Sequence, residues 1–109
     1  MRLLDDNIKG AIQYYMPDHT TAQKLATFFD MFSDVSRIRI LSALAFSEMC
    51  VSDLAELLSM NQTTLSHQLR NLKDNGVVYS VRIGKSVFYR ISNDGIEKLL
   101  SCGTEICFK

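Results

Sequence analysis

The chain carries its reactive groups in two places. The first is sulfur. Cys50 and Asp53 lie three residues apart at what reads as the start of a helix, so their side chains share a face and can approach one cation together. A helix N-terminus also favours thiolate over thiol. Cys102 and Cys107 lie five apart, which on an unbroken helix rotates them about 140° from each other. They meet on one ion only if the chain breaks at Gly103, or if an extended tail carries them to Cys50 or to a second subunit's cysteines. A thiol cluster suits a soft ion such as arsenite, cadmium or copper(I), or a sulfur-based redox signal such as oxidation or persulfidation. The alternative is a small buried hydrophobe at Cys50 and incidental cysteines in the tail, because free cysteine is among the most buried residue types.

The second place is a polar and cationic stretch from Asn61 to Arg90. Between Thr63 and Lys73 the apolar residues Leu65, Leu69 and Leu72 recur at i, i+4 and i+7, a helical stripe that packs inward. The positions left over are hydroxyl, amide, imidazole and cationic groups, the kinds that hydrogen-bond base edges and phosphates. Thr63, His67 and Arg70 fall on one face, with Thr64, Gln68 and Asn71 on a neighbouring one. Thr63, Thr64, Ser66, His67, Gln68 and Arg70 are the candidates to enter a groove of duplex DNA, although His67 also reads as a structural histidine bonded to its neighbours. Lys73, Arg82 and Lys85 suit phosphates, which set register and salt dependence without sequence preference.

These groups need elements to hold them. Asn61 can cap the polar helix, and Asn75-Gly76 can end it, since either residue accepts a left-handed conformation. Val77 to Ile83 and Ser86 to Ile91 are rich in β-branched and aromatic residues and are joined by Gly84-Lys85, a hairpin signal. Arg82, Lys85 and Arg90 lie along this ribbon. From Asn61 to Arg90 five Lys/Arg face one acid, Asp74, a balance of +4. The chain is formally neutral, so the rest is equally negative, and the positive end of this dipole is placed to meet a polyanion.

Upstream, Ile8, Ile12 and Tyr15 have helical spacing interrupted by Gly10, which makes a short helix or an arm. Pro17, Asp18, Thr20 and Thr21 resemble a helix start, followed by an apolar stripe of Leu25, Phe28, Phe29 and Phe32. That many aromatics exceed what one small core needs, and part of the face is assigned to a subunit interface. Ser33-Asp34 can cap a helix with Ile38, Leu41 and Ala45 inward and Arg37 and Arg39 projecting. Val51 to Leu58 is a short helix with Leu54, Leu57 and Leu58 inward. With the turn at Ser59-Met60-Asn61, the segment from Ser52 to Lys73 is a helix-turn-helix. Ser92-Asn93 can cap a last helix whose apolar face is Ile96, Leu99, Leu100 and Ile106.

Length and composition fit this arrangement. A chain of 109 residues suits one domain with a high surface-to-volume ratio that dimerisation would relieve. No apolar run approaches the roughly 20 residues of a membrane span. The N-terminus lacks the apolar core of a signal peptide, so a cytoplasmic protein without membrane partners is expected. Three cysteines are an odd count, unlike a secreted disulfide framework, and a reducing compartment keeps them as thiols. There is no Gly-rich phosphate loop, paired general acid and base, or histidine-rich metal motif, and an enzyme is not expected.

Ser36-Arg37-Ile38-Arg39-Ile40-Leu41, Glu48-Met49-Cys50-Val51-Ser52-Asp53-Leu54-Ala55, Thr64-Leu65-Ser66-His67-Gln68-Leu69 and the Gly84-Lys85 ribbon resemble, in order and spacing, the ArsR/SmtB family of winged-helix repressors. The resemblance covers about Leu25 to Ile91. It implies a mainly α fold with a small antiparallel β-hairpin, a winged helix-turn-helix of order α-α-α-α-α-β-β-α. On that plan one domain fills residues 1–109, with an N-terminal arm and dimerisation helix at 1–32, the winged helix-turn-helix at 33–91 and a C-terminal dimerisation helix and tail at 92–109. The resemblance further implies a homodimeric bacterial repressor that releases its operator when an inducer, often a metal ion or arsenite, binds. In such a dimer the two recognition helices lie one duplex turn apart, so the operator is an imperfect palindrome; Arg37 is placed to reach a phosphate or, equally, to stand solvated or ion-paired.

The sensing residues match the family only in part. Cys50-x-x-Asp53 matches two metal ligands of the zinc-sensing branch, whose others come from the partner's N-terminal arm; here the arm offers Asp5, Asp6 and His19 but no cysteine. The Cys-x-Cys of arsenite sensors would need a cysteine at Ser52. The histidine pairs of a third branch are absent, since no histidine follows His67. Candidates for metal or thiol sensing are therefore Cys50, Asp53, Cys102 and Cys107, with arsenite, cadmium, zinc or copper as possible ions. Switching by thiol oxidation or persulfidation, no cysteine switching at all, and a winged helix that binds proteins without DNA are the alternatives.

Overall fold

In the computed structural model, which describes residues 3–108, the order of elements is α1 (Asp6–Tyr15), α2 (His19–Asp30), α3 (Val35–Phe46), β1 (Met49–Cys50), α4 (Val51–Leu58), α5 (Gln62–Asp74), β2 (Val78–Ile83), β3 (Ser86–Ile91) and α6 (Asp94–Phe108). The expected mainly helical, winged arrangement is present, with one strand more than the hairpin. Met49 and Cys50 pair antiparallel with Tyr89 and Phe88, giving a three-stranded sheet ordered β1-β3-β2. Two residues have no periodicity to read, so only their partner strand defines them.

Short polar side chains set the helix starts, as the spacing suggests. The carboxylates of Asp5, Asp18 and Asp34 and the amide oxygen of Asn61 each accept from backbone N–H groups in the first turn, filling donors that a helix start leaves open. The Asp18 carboxyl is held below its usual range, first by the Thr21 N–H and then by the Thr21 side chain. Asn93 accepts from the Gly95 N–H at 2.6 Å at the head of α6. Ser59 ends α4 in the left-handed region at φ 54°, reversing the chain within a few residues so that α5 can cross α4.

The core lies between α3, α4, α5, the root of the sheet and the first turn of α6. Ile40, Leu41, Leu54, Leu65, Leu69, Leu72 and Val77 are its largest fully enclosed side chains. Among the described residues no polar or charged side chain is buried, so no polar desolvation cost is set against the apolar contribution of roughly 1.5–3 kcal/mol for each enclosed leucine.

Two inward assignments change. Leu57 is 59% exposed. The enclosed residues of α4 are Leu54, Ala55 and Leu58, and at 100° per residue Leu57 stands about 105° from the middle of that stripe. In α3 the enclosed line is Ile40, Leu41 and Leu44, while Ile38 and Ala45 are half-buried. The line follows from the four elements that pack on α3, namely β3, α4, α5 and α6.

Arg37 finds its partners within the subunit. Its Nε donates to the Met31 carbonyl at 3.2 Å and its Nη2 to the Asp30 carbonyl at 3.1 Å. The guanidinium caps the end of α2 from α3 with two of its five N–H donors. Arg37→Ala is expected to lower stability by about 1 kcal/mol, the scale of charged hydrogen bonds at a partly exposed site, and to leave the salt dependence of DNA binding unchanged. Denaturant melts and a salt titration check this.

The terminal helices lie outside the core. None of the α1 residues is buried, α2 reaches the body through half-buried Phe28, whose ring lies 5.2 Å from that of Phe32, and α6 buries only Ile96. Among the described residues no helix is long and apolar enough to cross a membrane.

Candidate nucleic-acid interface

Leu65, Leu69 and Leu72 are 0% exposed, which fixes the rotation of α5 and leaves its other side to solvent. The Asn61 side chain accepts from the Thr63 and Thr64 N–H groups at 2.8 and 3.3 Å. This cap starts the helix at the exit of the α4–α5 turn. A shallow groove on the outer face is lined by Gln62, Thr63, Ser66, His67 and Arg70. Thr64 is exposed on its flank, whereas Gln68 and Asn71 are half-buried, so Gln68 has less reach than the other candidates. Gln62 was missed because it stands beside the cap, yet it precedes Ser66 by four residues, a spacing that places both on one face.

Behind α5 the ribbon pairs over its whole length, from Val78 opposite Ile91 to Ile83 opposite Ser86. Gly84 takes φ 64° at the tip, and Lys85 beside it is exposed, as is Arg82. Lys73 Nζ donates to Ser80 Oγ at 2.8 Å, tying the end of α5 to β2 while the ammonium stays exposed. Arg90 differs from the other cations of the stretch, because its guanidinium is ion-paired with Glu48 just before β1. Hydrogen bonding to Glu48 first, and then to Tyr79, raises its pKa. Arg70, Lys73, Arg82 and Lys85 therefore remain as the cations presented outward.

The sulfur atoms are spread apart. Cys50 is half-buried at the N-cap position of α4, with no capping bond from its side chain; its Sγ lies 3.4 Å from Ser52 Oγ. Asp53 is exposed in the first turn of that helix. Helix α6 runs unbroken through Gly103, so the tail is neither extended nor frayed there. Cys102 lines a pocket with Asp94, Glu97 and Lys98, and Cys107 lines an apolar one with Phe29, Phe32 and Ile38. The break needed to bring them onto one ion is absent. Among the described residues no three His, Cys, Asp or Glu side chains come together in a way that could hold a metal ion. Asp5, a possible arm ligand, is occupied in capping α1.

A capped polar helix, set by a tight turn against a shorter one and backed by a β-ribbon, defines a winged helix-turn-helix protein. The family profile "Bacterial regulatory protein, arsR family" matches residues 34–80. The chain is 40% identical over 78 residues to a transcriptional repressor SmtB homolog from Synechocystis, a match covering 72% of this chain and 59% of that protein. It is 42% identical over 77 residues to the cadmium resistance transcriptional regulatory protein CadC from Listeria innocua, covering 70% of this chain and 65% of that one. The match thus spans less than two thirds of these relatives' length. Among solved structures it is similar to the homodimeric winged helix-turn-helix DNA-binding domain of a possible ArsR-family transcriptional regulator from Mycobacterium bovis, with a TM-score of 0.74, 29% identity and coverage of 84% of this chain and 87% of that one. This chain belongs to the ArsR family, a family of transcriptional regulators and not of enzymes.

Proposed function

We propose that the protein is a cytoplasmic homodimer that binds an imperfect palindromic operator and represses transcription until a soft metal or metalloid ion, held by cysteine thiolates, releases it. The observation that carries the DNA reading is the outward row Gln62, Thr63, Ser66, His67 and Arg70 beside a ribbon with exposed Arg82 and Lys85. Thr63, Thr64, Ser66, His67, Gln68 and Arg70 face the major groove, while Lys73, Arg82 and Lys85 hold phosphates. The dimer reading rests on the uncovered terminal helices. The radius of gyration is 18.3 Å, against about 13 Å for a compact domain of some 100 residues, which is the shape of a subunit awaiting a partner. The relatives' roles in cadmium resistance and repression favour a metal inducer, with Cys50 at the N-cap of α4 and Asp53 in its first turn as ligands and the remainder supplied across the dimer.

The test is a cadmium and arsenite titration of reduced protein that counts free thiols and follows binding of a duplex selected from a random pool. Stoichiometric uptake should weaken binding about 5- to 150-fold, the usual span of allosteric coupling, and Cys50→Ser should remove the effect. Unchanged DNA affinity with every ion would reject metal sensing. The exposure of Cys102 and Cys107 favours a second reading in that case, a switch by thiol oxidation or persulfidation. A wild type without salt-sensitive DNA affinity would leave a protein-binding winged helix.

A further inference from the structure

From the pairing of Glu48 with Arg90 we infer that these two side chains are positioning residues for DNA binding: they clamp the wing to the body at a fixed pitch, and Arg90 touches no phosphate. The inference rests on the DNA-binding reading above. Met49 opposite Tyr89 puts Glu48 beside Arg90 at the end of β1, and Tyr79 opposite Arg90 continues the row onto β2. One line of side chains thus crosses all three strands at the root of the ribbon, well away from the Gly84-Lys85 tip. Among the described residues the one hydrogen bond between side chains of the ribbon and α5 is Lys73 to Ser80. The β1–β3 pairing and the buried Val77 and Val78 anchor the root of the wing; the ion pair adds a side-chain link across its β1 edge, and the Lys73–Ser80 bond links it to the recognition helix. Beyond Phe88 the ribbon runs on to Gly84 as two strands with no third beside them, so the direction of its tip follows from how firmly the root is fixed.

Glu48 makes the idea testable because Coulomb's law alone gives the opposite sign. Removing a carboxylate close to a polyanion should strengthen binding, whereas releasing the clamp should weaken it. Glu48 and Arg90 are 35% and 43% exposed, so conservative replacements spare the core. For a duplex selected by the wild type from a random pool, Glu48→Gln and Arg90→Gln are each expected to weaken binding about fivefold per subunit, or ~1 kcal/mol. The slope of log K against log salt should stay at the wild-type value, and the charge-reversed pair, Glu48→Arg with Arg90→Glu, should regain most of the affinity.

Tighter or unchanged binding by Glu48→Gln would overturn the inference, and so would an Arg90→Gln slope reduced by about 0.9 per subunit, the mark of a lost phosphate contact. Amide exchange in the free protein reads the clamp without DNA: faster exchange at Met49, Cys50 and Phe88 in Glu48→Gln is expected, and unchanged exchange also overturns it. If no duplex is selected while exchange still quickens, the DNA reading fails on its own and the clamp stands.

Discussion

Arg70→Ala is expected to weaken operator binding by about 1–3 kcal/mol in each half-site if it reads a base. Two-fold symmetry doubles that to about 2–6 kcal/mol, at least thirtyfold in affinity. Arg70 lies in the outward groove with Thr63, Ser66 and His67, one turn beyond Ser66, on the face proposed to enter the duplex. Lys85→Ala should behave differently. Its ammonium stands at the ribbon tip beside Gly84, so its loss should weaken all duplexes alike and lower the salt slope by about 0.9 per subunit. Binding of the selected duplex and of scrambled duplexes, measured across a salt series, separates the two. If Arg70→Ala weakened both duplexes equally, its role would be phosphate contact; if it weakened neither, the assignment of this face to DNA would fail.

A negative charge on α1 should be nearly as disruptive, through a different route. Ile12 is exposed on a helix with no enclosed residue, so Ile12→Glu leaves the subunit core alone. On the dimer reading that side chain is covered by the partner, and an unpaired carboxylate there is expected to separate the subunits. Losing the linked second half-site then lowers apparent operator affinity by about 10²- to 10⁴-fold. Sedimentation gives the mass and a thermal melt shows that each subunit remains folded. A wild type already monomeric at micromolar concentration, or an Ile12→Glu protein that stays dimeric, would remove α1 from the interface.

The uncovered surface explains why these predictions concern association more than folding. Phe46 and Phe108 are 92% and 87% exposed, and both line a hollow between α3 and α6. A single subunit does not bury them. On the dimer reading the stability of the protein is tied to its concentration, because whatever binds the folded form shifts unfolding by mass action.

How much was legible from residue order depends on the range of the cause. The leucine stripe of α5, the caps at Asp18, Asp34 and Asn61, and the turn at Gly84 are local consequences of side-chain periodicity and backbone freedom, and each stands in the structure where spacing puts it. The outward candidates Thr63, Thr64, Ser66, His67 and Arg70 follow from the same stripe, since burying three leucines leaves the opposite face exposed. Whether Arg37 and Arg90 stand free is not legible in the sequence, because a charge in a list carries no record of its neighbours. Their partners come from α2, six and seven residues away, and from Glu48, 42 residues away.

Amino-acid order alone therefore determined the winged helix-turn-helix, the exposed polar face of α5 and the basic ribbon, because hydrophobic period, capping and turn chemistry act over a few residues. Tertiary structure decided which cations remain free, that β1 joins Cys50 to the wing strand, that Leu57 faces solvent, and that Cys102 and Cys107 point into different pockets. Those outcomes depend on which surfaces meet once the core closes, and packing between distant segments is not written in the spacing of any one of them.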